Sequence, residues 1–312
     1  MMNVPHLHLI LNHVPTIGTA VAVGLLLLSL LRRNTELTRV SLEVFCVVAL
    51  LTLPAYLSGV ASGMALQQMP EVNSAVIARH HDGALQSSLF MLLTGAVAWL
   101  GLWHFRRVAR LSNLYITIVV VLSLLTFGGM ATTATMGGEI RHPEILAEGA
   151  TAPTAAPAWL TAVSIQRLVL DNTWVWPSLE ALHFIGLWLL FGTILIVNLR
   201  MLGLVTIAPF SAFHRLLPWA ALGLGINLVT GMCWVIATPE QYMTNVSFFW
   251  KMGLLLLAGA NLLYLTGFEQ PWSIGANEKA PAFSKVMAVS AIALWIGVMY
   301  FGRMLPFIGN AF

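Results

Sequence analysis

Charged side chains are scarce in this chain. Only 9% of its 312 residues are Asp, Glu, Lys or Arg, and 58% are hydrophobic. A soluble domain is typically about 25% charged, so the composition excludes an ordinary soluble enzyme. It also excludes a disordered chain, because disorder requires low hydrophobicity and high charge. Uncharged runs such as residues 17–31 and 115–127 do not alternate as the strands of an outer-membrane barrel would. They predict an all-α, polytopic integral membrane protein.

Cysteine and the common catalytic motifs are also nearly absent. The two cysteines, Cys46 and Cys233, are expected at different membrane depths, which argues against a disulfide between them. No Cys-x-x-Cys-His is present, so covalently attached c-type haem is excluded. Neither a nucleotide-binding loop nor a hydrolase motif is found, so the sequence leaves open whether the chain catalyses a reaction. No basic stretch indicates nucleic acid as a partner.

What the sequence does contain is a series of apolar segments long enough to cross a lipid bilayer. With about 20 apolar residues per span, we predict eight transmembrane helices near residues 8–31, 40–63, 84–104, 113–136, 178–199, 216–237, 247–267 and 284–305. Most Lys and Arg residues fall in connections on one side, which the positive-inside rule assigns to the cytoplasm. We therefore expect a multi-pass protein of the bacterial inner (cytoplasmic) membrane with both termini outside the cytoplasm. Two arginines follow the first apolar run and none precedes it, which favours a retained first helix over a cleaved signal peptide.

The longest polar connection divides the chain into two halves. We predict a first four-helix bundle in residues 1–145 and a second in residues 174–312. An Ala/Pro-rich extracytoplasmic linker, 146–173, joins them and is expected to include a short helix on the membrane surface. The halves share an inferred orientation, which suggests a duplication without a clear residue-level repeat.

Histidine is unexpectedly frequent for so apolar a chain, with nine residues, most of them predicted near the outer side. Imidazole is a common axial ligand of haem b and a ligand of copper and zinc. His13 lies within the first apolar run, where Pro15 predicts a kink or a late helix start. His80 and His81 are predicted to stand immediately before the third helix. Adjacent helical residues do not share a face, and we favour His81 as the ligand because it lies nearer the helix.

His183 is the strongest single candidate, because it lies one turn inside an otherwise apolar helix. Glu180 shares its face and suits a carboxylate that orients the imidazole, while Gly186 is expected to leave space beside it. His142, just outside the fourth predicted helix, is a plausible additional ligand. Gly59, in a Gly-x-x-x-Gly segment, indicates close helix packing or room for a flat macrocycle.

Two stretches of the chain resemble bacterial inner-membrane domains of unknown function. Residues 8–145 resemble a four-helix domain with an N-terminal His-x-Pro signature, here carried by Asn12-His13-Val14-Pro15, the glycines from Gly59 to Gly63, His81, and Gly137-Gly138-Glu139 with His142. Residues 174–267 resemble a second family through Trp176-Pro177, Glu180-Ala-Leu-His183 of an EALHFIG motif, Asn198 to Gly203, Leu217-Pro-Trp219, Thr230-Gly231 and Lys251. That family usually has an acid in place of Asn198.

Both stretches are loosely similar to cytochrome b-type four-helix electron carriers and to the copper-resistance D membrane family. The resemblance implies a helical membrane fold in a redox setting.

Three functions remain open on the sequence. The first is a haem-b-binding redox protein or subunit, which carries electrons between an extracytoplasmic dehydrogenase or cytochrome and the quinone pool. His13, His81 and His183 are its expected metal ligands. The second is copper handling, suggested by His6-Leu-His8 and the His80-His81 pair. The third is a non-catalytic membrane anchor or assembly subunit of a larger complex, with interfacial histidines and no cofactor.

Overall fold

The computed structural model describes residues 4–67, 73–105, 110–142, 161–267 and 270–308. These residues are predominantly helical, and no strand occurs among them. The α-helices are α1 Val4–Leu11, α2 His13–Arg32, α3 Thr35–Leu66, α4 Ser74–His104, α5 Asn113–Arg141, α6 Ala162–Leu170, α7 Val175–Leu202, α8 Leu217–Ala237, α9 Pro239–Met243, α10 Val246–Gly267 and α11 Ala282–Met304. There are also two 3₁₀ segments. Phe210–Leu216 lies between α7 and α8, and Gln270–Ser273 lies between α10 and α11.

Eight helical segments within the described ranges are long and apolar enough to cross a membrane, which confirms the predicted number. The first of them, Val4–Arg32, joins α1 and α2. The prediction was wrong about the start of α4, which begins at Ser74, ten residues before the predicted 84. His80 and His81 therefore lie inside the helix and not in front of it. Likewise α5 extends beyond the predicted residue 136 to Arg141.

Short polar side chains set the starts of three of these helices. Asn34, Asn73 and Ser112 each have extended backbone and accept a hydrogen bond from a backbone N–H in the first turn of α3, α4 and α5. Such a cap satisfies one of the N–H groups that a helix start leaves unpaired. The cap at Asn73 explains the early start of α4, because it allows the helix to begin in polar sequence.

The first apolar segment is interrupted at Asn12, between α1 and α2. Pro15 has no N–H to donate to the carbonyl four residues earlier, which weakens the helix at that turn. The interruption separates the short helix α1, which packs on α3, from the long helix α2, which packs on both α3 and α5. This arrangement positions His8, a residue of α1, against α3.

The chain forms two compact units, Met1–Ser164 and Ile165–Phe312. In the first unit α3 packs against α2 and α4, and α4 packs against α5. Hydroxyl pairs line the contact between α4 and α5: Thr94 with Thr126 at 2.7 Å, and Ser87 with Thr133 at 2.8 Å between oxygens. Much of the predicted linker, residues 146–160, lies outside the described residues. The remainder of the linker includes α6, whose first N–H group, that of Ala162, donates to Asp82 at 2.8 Å.

In the second unit α7 contacts α8 and α11, and α10 contacts α11. One buried apolar cluster takes residues from four helices: Leu190, Ile194, Ala220, Ala258, Trp295 and Val298. Gly186 and Gly223 permit the close approach of α7 and α8, since a Cβ on Gly186 would lie 2.9 Å from the carbonyl oxygen of Gly223. Small residues at such crossings are typical of membrane helices.

Arg200, near the end of α7, is fully buried and is bound entirely by main-chain carbonyls. Its Nε donates to the carbonyl of Ala208 at 2.8 Å, and its Nη2 donates to that of Gly275 at 2.7 Å. A third, longer bond of 3.4 Å runs from Nη1 to the carbonyl of Glu278. One guanidinium therefore connects the segment after α7 with the segment before α11.

Candidate functional site

His8 is held against α3 by its Nδ1 atom. This nitrogen lies 3.1 Å from the carbonyl oxygen of Ala55 and 3.1 Å from the hydroxyl oxygen of Ser58. The Ser58 hydroxyl itself donates to Ala55 at 2.9 Å, so it accepts from the imidazole. Both neighbours of Nδ1 are thus acceptors, and the proton of the neutral ring belongs on Nδ1. The Nε2 atom keeps its lone pair.

His80 is held in the same way by a carbonyl of a different helix. Its Nδ1 lies 3.1 Å from the backbone carbonyl oxygen of Thr133 on α5. A carbonyl only accepts, so Nδ1 of His80 carries the proton and Nε2 carries the lone pair. Both histidines therefore have the tautomer that leaves Nε2 available to a metal.

These two rings lie next to each other in the first unit. Their centroids are 6.5 Å apart, and the ring planes are inclined by 69°. A glycine faces each ring: a Cβ on Gly59 would lie 2.9 Å from Cε1 of His8, and a Cβ on Gly137 would lie 3.1 Å from Cε1 of His80. Glycine at these two positions leaves the imidazoles the room they occupy.

His81 has a different neighbour from His80. Its ring stacks on Tyr56 of α3, with centroids 5.8 Å apart and planes 19° apart. The Tyr56 hydroxyl oxygen lies 3.4 Å from Nε2 of His81. The two adjacent histidines thus face different helices, as expected for consecutive helical residues.

In the second unit, His183 is bound by a hydroxyl group on α8. Its Nδ1 lies 2.7 Å from Oγ1 of Thr230, and that hydroxyl donates to the carbonyl of Ile226 at 2.8 Å. Thr230 therefore accepts from His183, which leaves the lone pair on Nε2. The ring of Trp234 lies with its centroid 5.0 Å from that of His183.

The two residues predicted to assist His183 have other surroundings. Glu180 is exposed, and the Nδ1–H of His183 donates to the Thr230 hydroxyl and not to this carboxylate. The space beside Gly186 is filled by α8, since a Cβ there would lie 2.5 Å from Nδ2 of Asn227. The other histidine of this unit, His214, contacts Trp272 at a centroid distance of 4.0 Å, with the ring planes tilted by 40°. It follows the far end of α7, and Leu202, at the end of α7, already lies 19 positions after His183, a rise of about 28 Å.

The remaining predicted ligands lie at the surface of the first unit. His13 is exposed at the first residue of α2, and His142 is exposed directly after the end of α5. The structure instead brings together His8 and His80, neither of which was among the favoured ligands. A signal for His80 is present in the sequence: it shares one helix face with Gly83, Ser87 and Thr94, a small and polar stripe that contacts α5.

Among the described residues, no group of three or more His, Cys, Asp and Glu side chains is arranged to hold a metal ion. The chain matches no family model, no curated protein and no solved structure.

Proposed function

We propose that the protein is a haem-b-binding electron carrier of the bacterial inner membrane, with His8 and His80 as the two axial ligands. The pairing of these imidazoles is the observation that carries the proposal. Electrons would pass between an extracytoplasmic donor, such as a dehydrogenase or a cytochrome, and the quinone pool.

The separation of the two rings fits a shared metal. Imidazole nitrogens bind metals at ~2.0–2.1 Å, and the ring centre lies about 1.1 Å behind the nitrogen, so two rings on opposite sides of one metal have centres about 6.3 Å apart. The centroids of His8 and His80 are 6.5 Å apart. The observed spacing is therefore close to that of two imidazoles that share one metal.

The hydrogen bonds of the two histidines support the same assignment. Metal-bound histidines almost always donate their second ring N–H to a carbonyl, a carboxylate or water, which fixes the ring and raises its basicity. Here the carbonyls of Ala55 and Thr133 accept from the Nδ1 atoms of His8 and His80. Each ring is oriented by a helix other than its own, and its Nε2 is left for the iron.

The number of ligands also favours haem over an isolated ion. A structural zinc site takes four protein ligands, whereas a haem iron takes at most two from the protein because the macrocycle supplies the rest. The described residues offer a histidine pair without a third ligating side chain close enough to complete a metal site. When bound, haem b supplies a one-electron redox centre.

The position of the pair along the helices is consistent with an extracytoplasmic donor. His8 lies near the start of the first apolar segment, and His80 lies near the start of α4. Under the predicted topology, both ends lie outside the cytoplasm. The residues proposed as ligands would then be near the surface where a donor protein docks.

Copper handling is a second candidate, because the same two Nε2 atoms could bind a copper ion of low coordination number. The anchor function differs from both, since it predicts a chain without iron or copper. Metal content and optical spectra therefore separate the three functions.

The test uses the full chain purified in detergent from haem-replete cells. We expect a b-type reduced-minus-oxidised spectrum and a matching pyridine haemochrome, both lost in His8→Ala and in His80→Ala. His81→Ala is the matched control, because it removes the adjacent imidazole and should keep the signal. His13→Ala and His183→Ala test the ligands that the sequence favoured.

A b-type signal that survives in both His8→Ala and His80→Ala would refute the ligand assignment. A featureless spectrum would favour the anchor, or copper handling if copper co-purifies and is lost in His8→Ala.

A further inference from the structure

A cavity of about 240 Å³ lies between α4 and α5 in the first unit. Its lining combines polar and apolar side chains, among them Arg79, Gln86, Ser87, Phe90, Leu125 and Gly129. Both helices are among the eight that are long and apolar enough to span a membrane. A partly polar cavity in such a place requires an explanation, because polar groups at membrane depth are costly and usually functional.

Unpaired hydrogen-bond donors lie along this cavity. The Nε2 of Gln86 is buried without a partner in the structure. The Arg79 side chain is only 8% exposed and forms an ion pair with Glu139, but its guanidinium nitrogens make no further hydrogen bond. Leaving a buried donor unpaired costs about 1–3 kcal/mol, so native proteins rarely do so without a ligand to accept. The cavity is therefore suited to a ligand that presents acceptor oxygens.

The charges and the walls of the cavity define the ligand further. Glu139 compensates Arg79, so the pair has no net charge to attract a free anion. Phe90 and Leu125 line the cavity and are also exposed, at 37% and 52%, so the cavity is reached from the apolar surface of α4 and α5. A ligand with an apolar body and neutral acceptor oxygens, arriving through the bilayer, fits these features.

We propose that this cavity binds the headgroup of a membrane quinone, with Gln86 and Arg79 donating to its ring oxygens. The inference rests on the proposed electron-carrier function, to which it adds the binding site of the quinone. A quinone headgroup is flat and neutral and has carbonyl oxygens that accept hydrogen bonds, while its tail remains in lipid.

Thr133 connects the cavity to the histidine pair. Its carbonyl accepts the hydrogen bond from His80, and its hydroxyl oxygen lies 2.8 Å from that of Ser87, which lines the cavity. Along α4, Gln86 follows His80 by six residues, a rise of about 9 Å. A headgroup that accepts a hydrogen bond from Gln86 would thus lie about 9 Å along the helix axis from the proposed haem ligand.

The experiment measures binding of decylubiquinone to the detergent-purified chain by isothermal titration calorimetry. We expect one site per chain and a loss of affinity of roughly tenfold in Gln86→Leu, the effect of removing one buried hydrogen bond. Gln67→Leu is the matched control, because Gln67 is exposed at the end of α3. This variant should bind decylubiquinone with the same affinity as the unmodified chain.

A second pair of variants tests the cavity without altering a donor. A Cβ on Gly129 would lie 3.0 Å from the Ser87 hydroxyl oxygen and narrow the cavity, whereas a Cβ on Gly128 has no neighbour within 4 Å. Gly129→Ala should therefore weaken decylubiquinone binding, and Gly128→Ala should not. Equal affinity in Gln86→Leu, Gly129→Ala and the unmodified chain would overturn the inference. The inference would also be overturned if the chain bound inorganic phosphate and did not bind decylubiquinone.

The same titration on the His8→Ala/His80→Ala double variant separates the two proposals. Quinone binding that depends on Gln86 and persists in this variant supports the cavity assignment, whether or not the chain carries haem. A b-type spectrum without Gln86-dependent binding would support the haem proposal and refute the quinone site.

Discussion

His80 on α4 donates a hydrogen bond from Nδ1 to the backbone carbonyl of Thr133 on α5, across 3.1 Å. The bond ties the orientation of this imidazole to the main chain of a neighbouring helix, so no side-chain change on α5 removes the acceptor. The ring is instead sensitive to the space around it, which Gly137 controls from the same helix.

Gly137→Ala should therefore disturb His80. The new Cβ would lie 3.1 Å from Cε1 of a ring that its hydrogen bond prevents from moving away. Overpacking of this kind costs about 1–3 kcal/mol. We expect a lower midpoint of thermal unfolding in detergent and, under the proposed function, reduced haem content. Gly138→Ala is the control, since a Cβ there has no neighbour within 4 Å, and equal stability of the two variants would contradict the geometry.

The Arg79–Glu139 pair gives a second prediction. Both side chains are largely buried, at 8% and 13% exposed, and lie on different helices. Removing one partner leaves an uncompensated buried charge and should cost about 3–5 kcal/mol, while the double variant Arg79→Met/Glu139→Leu should recover most of it. Unfolding of the two single variants and the double variant measures the coupling.

A second Arg–Glu ion pair provides the control for this double-mutant cycle. Arg39 and Glu43 are 3.4 Å apart on α3 but are 32% and 45% exposed. The corresponding cycle, Arg39→Met/Glu43→Leu, should show a coupling below about 1 kcal/mol because solvent screens the charges. Similar coupling in both cycles would mean that Arg79 is not buried as described.

The hydroxyl group of Thr230 should contribute to the stability of the protein. Thr230→Val removes the acceptor for Nδ1 of the half-buried His183, and the lost hydrogen bond should cost about 0.5–1.5 kcal/mol. Thr230→Ser keeps the hydroxyl and should remain close to the unmodified chain in thermal stability. If the serine variant is as unstable as the valine variant, the lost methyl group and not the hydrogen bond is responsible.

Arg200 should not tolerate lysine. Its guanidinium donates to three carbonyls in two segments, and a lysine ammonium cannot reproduce that planar arrangement. Arg200→Lys should lower the unfolding midpoint and expose residues 203–209 and 275–280 to protease. Arg215→Lys, at an exposed position in the neighbouring 3₁₀ segment, should leave both measurements unchanged.

The apolar segments were predictable from the sequence because hydrophobicity is a property of each segment alone. The start of α4 was not, since Arg79 reads as loop sequence until its partner Glu139, 60 residues later, is placed beside it. The choice between His80 and His81 failed for a similar reason. Adjacent positions differ by about 100° around a helix, and only the packing of α3 and α5 decides which face meets which neighbour.

His8 was harder to predict than His80. It lies on α1, the short helix before Asn12, and α1 packs on α3. Pro15 indicated an irregular helix start, but no local pattern indicates that the ring of His8 meets Gly59 and the carbonyl of Ala55. The contact joins residues almost 50 positions apart, so it becomes visible only in the folded chain.

The hydrogen bonds of Arg200 all end on main-chain oxygens, which every amino acid provides. The backbone positions that supply those oxygens are therefore constrained, whereas the amino-acid types at those positions are not. Substitutions at Ala208 should be tolerated as long as the backbone keeps its path. A single inserted residue between α7 and the 3₁₀ segment would displace the acceptor, so these connections should vary in composition among related proteins while keeping a constant length.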